Sequence, residues 1–243
     1  MSDTRRALVT GGAGGIGRAV CRRLARAGAF VYVQAREARP ESEALIRELA
    51  ALGAGAQLLT FDLTDAAACA QALEQVLSAG AVQVLVNNAG ITDDAAFPAM
   101  QPGQWQRVLD VALLGFFHVT RALVLPMIRT RWGRIINLSS VAALKGNRGQ
   151  VNYAAAKGAM ISATRALALE LATRGITVNA VAPGIIATPM SAASFDAASI
   201  ERLVPMQRAG TSEEVAELVG FLASDAAGYI TGQVISINGG MFM

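Results

Sequence analysis

A run of glycines between an apolar strand and an amphipathic helix constrains this chain more than any other feature. Ala7-Leu8-Val9-Thr10 is short and apolar and leads into Gly11-Gly12-Ala13-Gly14-Gly15-Ile16-Gly17. Ala19, Val20, Leu24 and Ala27 then recur at helical spacing until Gly28 stops the helix, and Phe30-Val31-Tyr32-Val33 resumes a strand. Glycines at such a strand-to-helix turn let the backbone approach a pyrophosphate, whose charge faces the helix N-terminus. The spacing of Gly11, Gly15 and Gly17 differs from the commoner Gly-x-Gly-x-x-Gly, and a turn needed only for tight packing reads the same way in isolation.

The rest of the chain repeats that alternation. Strand-like runs fall at 6–10, 30–34, 57–61, 82–86, 133–138, 176–181 and 233–237, with helix-like stretches between them. Several runs are apolar throughout, as strands covered on both faces should be. The expected fold is therefore α/β: a single-domain, Rossmann-like, doubly wound parallel sheet of about seven strands with helices on both faces. A chain of 243 residues, 53% of them hydrophobic, can bury one large core. One domain over 1–243 is expected, with a cofactor half to about 140, a catalytic and substrate half beyond it, and a lid over 185–210.

Composition removes several classes of function. A net charge of only +3 does not suggest a general nucleic-acid role. Arg5, Arg6, Arg18, Arg22, Arg23 and Arg26 read as solvated faces. Cys21 and Cys69 sit in helix-like stretches and give no disulfide framework. Metal-ligand spacing is absent from the sequence, so no metal is expected. The first strand follows the N-terminus almost at once, and no charge-free run approaches the ~20 residues that span a bilayer. A soluble, cytoplasmic protein is expected.

Chemistry enters at Asn152-Tyr153-Ala154-Ala155-Ala156-Lys157. Tyr153 and Lys157 are four apart, so on a helix they share a face. An ammonium beside a phenol stabilises the phenolate and lowers a pKa that starts near ~10, which suits Tyr153 to proton transfer. Ser140 follows the apolar run Arg134-Ile135-Ile136-Asn137-Leu138, where a strand end can present a hydroxyl to a carbonyl oxygen. A hydrolase triad of Ser140, His118 and an Asp is disfavoured, since no Gly-x-Ser-x-Gly elbow surrounds the serine. His118, Trp105 and Trp132 read as packing residues.

Thr10 to Gly17, Asn87-Asn88-Ala89-Gly90, Ser140 with Tyr153 and Lys157, and Pro183-Gly184 followed by Thr188 together resemble the short-chain dehydrogenases/reductases along essentially the whole chain. Asn87 to Thr92 and the ending Asn238-Gly239-Gly240-Met241-Phe242-Met243 resemble the β-ketoacyl-ACP (3-oxoacyl-ACP) reductases and the related acetoacetyl-CoA reductases. The resemblance implies that Ser140, Tyr153 and Lys157 are catalytic. It implies cofactor contacts from Thr10, Gly11, Gly15, Ile16, Gly17, Asp62, Leu63, Asn88, Ala89, Gly90, Tyr153, Lys157, Pro183, Gly184, Ile186 and Thr188. Relatives that use NAD usually carry Asp at the end of the second strand. Ala35 stands there and Arg36 follows, able to pair with a 2′-phosphate, so NADP(H) is the expected cofactor. Glu37 is adjacent, and Gly14 occupies a turn position where many NADPH-using relatives have Arg or Lys.

The implied reaction is reduction of a 3-oxoacyl thioester on acyl carrier protein or CoA, in fatty-acid synthesis or a polyketide or polyene pathway. A broader alcohol or sugar dehydrogenase and a non-catalytic nucleotide-binding subunit are the alternatives. One departure bears on the last: Ala112 replaces an Asn that supports a water relay in relatives, although its backbone carbonyl remains. Met190, Phe195, Leu203 and Met206 are the apolar set expected of the lid. Arg131 and Arg174 match positions that face the acidic carrier protein in the ACP reductases. A homotetramer is expected, with stretches 103–128 and 152–174 supplying the interface helices.

Overall fold

The computed structural model describes residues 4–52, 55–189 and 195–243. Seven parallel strands form one sheet in the order β3-β2-β1-β4-β5-β6-β7. They are β1 Arg6–Val9, β2 Phe30–Ala35, β3 Ala56–Thr60, β4 Val84–Asn87, β5 Gly133–Leu138, β6 Ile176–Pro183 and β7 Val234–Ile237. The chain begins at β1, winds outward to β3 and returns to β4 on the other side of β1. This reversal leaves a crevice at the carboxyl ends of β1 and β4, where such sheets bind ligands.

The central strands are mostly apolar because helices cover both faces, with a few buried polar residues that find partners inside. Every residue of β4, β5 and β6 is buried. Alternate strand residues point to opposite faces and so build two cores. Ala7 and Val9 of β1 pack toward α1 (Gly15–Arg26) and α9 (Ser212–Leu222), meeting Val20, Leu24, Val215 and Val219. Leu8 points the other way, into the core of α3 (Ala66–Ser78), α5 (Gly115–Thr130) and α7 (Val151–Leu171), with Leu73, Leu123, Met127 and Ala168. The remaining helices are α2 (Pro40–Ala51), α4 (Pro102–Leu109), α6 (Ala142–Lys145) and α8 (Ala197–Leu203).

A buried polar network fastens α5 and α7 to the sheet. The Asn87 amide donates to Asn137 Oδ1 at 2.8 Å and to Thr120 Oγ1 at 3.1 Å, and the Asn137 amide donates to Thr164 Oγ1 at 2.8 Å. Such bonds inside a core fix relative orientation, because breaking one leaves a buried donor unsatisfied.

Two elements differ from the sequence reading. Between α4 and α5 the helix passes through a π-helical turn, Asp110–Leu114, rather than running evenly. α7 ends at Leu171 and continues only as a 3₁₀ turn, Ala172–Arg174. Pro102–Thr130 is long and apolar enough to cross a membrane by length and composition alone, yet Val108, Ala112, Val119, Leu123 and Met127 along it belong to the core.

Candidate active site

The crevice is a cleft of about 1110 Å³ running from the glycine turn to the N-terminus of α7. Its floor is bare backbone. Gly11 has φ +59°, a conformation that favours glycine, and a Cβ on Gly17 would lie 2.4 Å from the Gly11 carbonyl oxygen. The first N–H groups of α1 have no intrahelical acceptor and open into this floor, as an anion requires.

Gly11, Gly15, Ile16, Gly17, Arg36, Asp62, Leu63, Asn88, Ala89, Gly90, Pro183, Gly184, Ile186 and Thr188 all line the cleft, as do Ser140, Tyr153 and Lys157. Thr10 does not. It is buried behind the turn, where its hydroxyl accepts from the Asn88 and Ala89 N–H groups at 3.0 and 3.1 Å. The Asn88 amide answers by donating to the carbonyls of Thr10 and Gly11 at 2.9 and 3.1 Å. Thr10 thus shapes the cleft by locking the ends of β1 and β4 together.

At the far end, adjacent serines diverge. The Ser139 hydroxyl is buried and donates to the Lys157 carbonyl at 2.9 Å, which pins α7 to β5. Ser140 faces the cleft on the same side as Tyr153 and accepts from the Ala142 N–H at 3.1 Å. Lys157 lies one helical turn from Tyr153, with Nζ 5.9 Å from its ring centre, and donates to the Leu138 carbonyl at 2.7 Å.

The electrostatics correct one expectation. The net shift of the Tyr153 phenol runs upward rather than downward. Burial raises the Tyr153 pKa, the Ser140 hydroxyl opposes that shift, and the Asp94 charge adds to it. Lys157 is itself held on the Leu138 carbonyl, and burial lowers its pKa to about 8. Ala112 sits behind it in an apolar cluster with Val108, Ala156 and Met160, so no side-chain amide reaches the lysine from that direction. The Ala112 carbonyl accepts from the Gly115 N–H within the π turn.

At the adenosine end, Asp62 accepts from the Thr64 N–H and hydroxyl at 2.8 and 2.7 Å, which holds its carboxyl below the usual range. Glu37 is paired with Arg39, leaving Arg36 beside it at the rim. Arg18 also lines the cleft and donates to the Ala13 carbonyl at 2.8 Å.

Of the lid set, Phe195 and Leu203 line the cleft, Met206 lines a separate cavity with Arg208 and Glu214, and Met190 lies outside the described residues. Arg131 and Arg174 come together, the Arg131 guanidinium donating to the Thr173 carbonyl at 3.4 Å. They precede β5 and β6, however, whereas Ser140 follows β5. The pair thus lies at the opposite end of β5 from the Ser140 hydroxyl, with the six residues of that strand spanning about 20 Å at ~3.3 Å per residue. His118 contacts the Leu63 carbonyl at 2.9 Å, and Trp132 lies between Arg5 and Arg134, so both serve packing.

Sequence reasoning missed several lining residues. Gln150, which donates to Asp94 at 2.8 Å, stands three before Tyr153 and was legible from helical spacing. Met241 reaches the cleft from the C-terminal end, and nothing local in the sequence signals it.

Comparison with known proteins agrees with this geometry. The short chain dehydrogenase family model matches residues 5–199. The chain is 45% identical over 243 residues to the 3-oxoacyl-[acyl-carrier-protein] reductase FabG of Aggregatibacter actinomycetemcomitans, covering 99% of this chain and 100% of the relative. It is 43% identical over 246 residues to the protein of the same name from Staphylococcus aureus, covering 100% of both chains. Nodulation protein G of Azospirillum brasilense is 42% identical over 238 residues, 97% of each chain. The chain belongs to the short-chain dehydrogenase family of nicotinamide-dependent oxidoreductases.

Proposed function

We propose that this protein reduces a 3-oxoacyl thioester, carried on acyl carrier protein in preference to CoA, to the 3-hydroxyacyl thioester with NADPH, in fatty-acid synthesis or a related polyketide or polyene pathway. One observation carries the reading. Ser140, Tyr153 and Lys157 line one cleft continuous with the glycine turn, in a chain similar over its full length to 3-oxoacyl-ACP reductases.

The bound nicotinamide supplies the hydride that adds to the carbonyl carbon. Ser140 hydrogen-bonds the carbonyl oxygen as negative charge develops on it. Tyr153 gives that oxygen its proton, and Lys157, cationic at neutral pH, stabilises the phenolate left behind. The carbonyl thus gains a hydride at carbon and a proton at oxygen, two electrons and two protons in all, and Tyr153 must be reprotonated before the next turnover.

Arg36, with Ala35 in place of a carboxylate, favours a 2′-phosphate, and the pairing of Glu37 with Arg39 removes the competing charge. Arg18 offers a cation beside the turn where Gly14 lacks one. Residues 185–210 act as the lid, and the same reading makes the protein a cytoplasmic homotetramer. Arg131 and Arg174 are assigned to carrier docking.

The test follows NADPH absorbance with a 3-oxoacyl-ACP and, separately, acetoacetyl-CoA, using wild type and Tyr153→Phe. Consumption that falls by about 10²-fold or more in the variant is expected, the scale of a lost general acid. Tight NADPH binding with no turnover of either thioester sinks the ketoreductase reading and favours another carbonyl substrate or a non-catalytic subunit.

A further inference from the structure

Gln34 is a polar side chain near the end of β2, only 2% exposed, that the reaction above does not use. Its carboxamide is fully engaged. Oε1 accepts from the Gly11 N–H at 2.9 Å, and Nε2 donates to the Phe61 carbonyl at 2.8 Å. Its own backbone carbonyl accepts from the Gly12 N–H at 2.9 Å. One residue therefore ties the glycine turn at the end of β1 to the residue just beyond β3.

These three points bound the adenosine half of the cleft. Gly11 carries the positive φ that starts the turn, Phe61 immediately precedes Asp62, and Arg36 is two residues beyond Gln34. The two turn N–H groups that Gln34 occupies are those facing the sheet, so the N–H groups opening α1 are left to the ligand. Without Gln34 the Phe61 carbonyl would be buried without this donor and the half-buried Gly11 N–H would lose its acceptor, which loosens the turn from β2.

We propose that Gln34 is a positioning residue for the nucleotide, its carboxamide holding the pyrophosphate turn and the adenine wall in one register. The role requires an acceptor and a donor on the same side chain at this reach. Met has the length and neither group, Glu keeps the acceptor and loses the donor, and Asn is one methylene short. The inference rests on the dinucleotide reading of the cleft but not on the identity of the carbonyl substrate.

The test is NADPH binding by fluorescence titration at fixed temperature, with no thioester present, alongside thermal unfolding of the same samples. Gln34→Met is expected to weaken NADPH binding at least tenfold while remaining folded at the titration temperature. Gln34→Glu is expected to weaken it at neutral pH and to recover part of the loss on acidification, as the protonated carboxyl regains a donor toward Phe61. Wild-type affinity should stay flat over the same pH range once corrected for any shift shared by both proteins. Should Gln34→Met fail to fold, the acid recovery of Gln34→Glu decides the matter. Unchanged NADPH affinity in either folded variant, whatever its melting temperature, overturns the inference. Wild-type binding without turnover would defeat the ketoreductase reading and leave this one standing.

Discussion

At the scale of single residues, the site is governed by burial as much as by charge. Burial brings the Lys157 pKa to about 8, whereas the Tyr153 pKa is raised above its ordinary value. Lys157 is therefore the group whose charge changes just above neutrality. It is cationic below that pH and neutral above it, and only the cation stabilises the phenolate formed as Tyr153 gives up its proton. The rate of carbonyl reduction should be level below pH 8 and fall about tenfold per unit above it, the slope for loss of one required proton. Lys157→Arg, which stays charged, should remove that limb if it retains activity. A limb at the same pH in an active arginine variant would assign the titration elsewhere. Ala112 makes a second residue-scale case. Its methyl group packs with Val108, Ala156 and Met160, and an amide there would be buried among carbons. Ala112→Asn should lower stability by about 1–3 kcal/mol, the cost of overpacking or of an unsatisfied polar group. Calorimetry showing an equal or higher melting temperature would mean that the amide finds partners behind Lys157. Legibility stops at this boundary. Tyr153, Lys157 and Ser140 could be found because their types and spacing encode chemistry. The direction of the Tyr153 shift could not, since it depends on how deeply the fold buries the phenol.

At the scale of elements, apolar runs and helical spacing carried most of the fold. β5 was placed residue for residue and β2 within one, because strands buried on both faces leave continuous apolar runs. β4 starts at Val84, two residues later than its apolar run suggests, since pairing rather than hydropathy sets where a ladder begins. The π turn at Asp110–Leu114 had no signature, as its residues suit an ordinary helix equally well. The turn after β1 was the opposite case: Gly17 can be nothing else. A methyl group there would meet the Gly11 carbonyl oxygen at 2.4 Å and the Gly12 Cα at 2.8 Å. Neither is the end of a flexible side chain, so the backbone itself must move. Gly17→Ala should cost about 1–3 kcal/mol of stability and lower the melting temperature by ~2–4 °C per kcal/mol. NADPH affinity should fall at least tenfold with it, about 1.4 kcal/mol. Wild-type affinity in the folded variant would show that the turn can relax without disturbing the ligand.

At the scale of the whole molecule, the proposed docking role of the arginine pair and the proposed homotetramer are linked by the distance from the pair to the triad. Leu114, Phe117 and Leu125 of the α4–α5 rod are exposed, as are Val151 and Leu169 of α7, the last at 83%. Small residues separate the α7 pair, including Ala155, Ala159 and Ala166, and allow helices to pack closely. α5 and α7 both run from the catalytic end toward Arg131 and Arg174. In the proposed homotetramer, a two-fold axis across this face would make the helices of paired subunits antiparallel, and the arginines of one subunit would lie beside the catalytic end of the next. A carrier docked on the pair would then serve its neighbour's cleft. Two variants separate assembly from charge. Leu125→Lys with Leu169→Lys should shift light scattering from tetramer to a smaller species, because four charges at each two-fold contact oppose burial. Arg131→Glu with Arg174→Glu should leave the tetramer intact. Both should cut turnover of a 3-oxoacyl-ACP by tenfold or more relative to a short thioester mimic, since both remove docking from the neighbour's cleft. A dissociated protein that reduces the carrier-bound substrate as well as wild type, relative to the mimic, would mean that each subunit feeds its own site. The two arginines would then be surface charge at the remote end of the sheet.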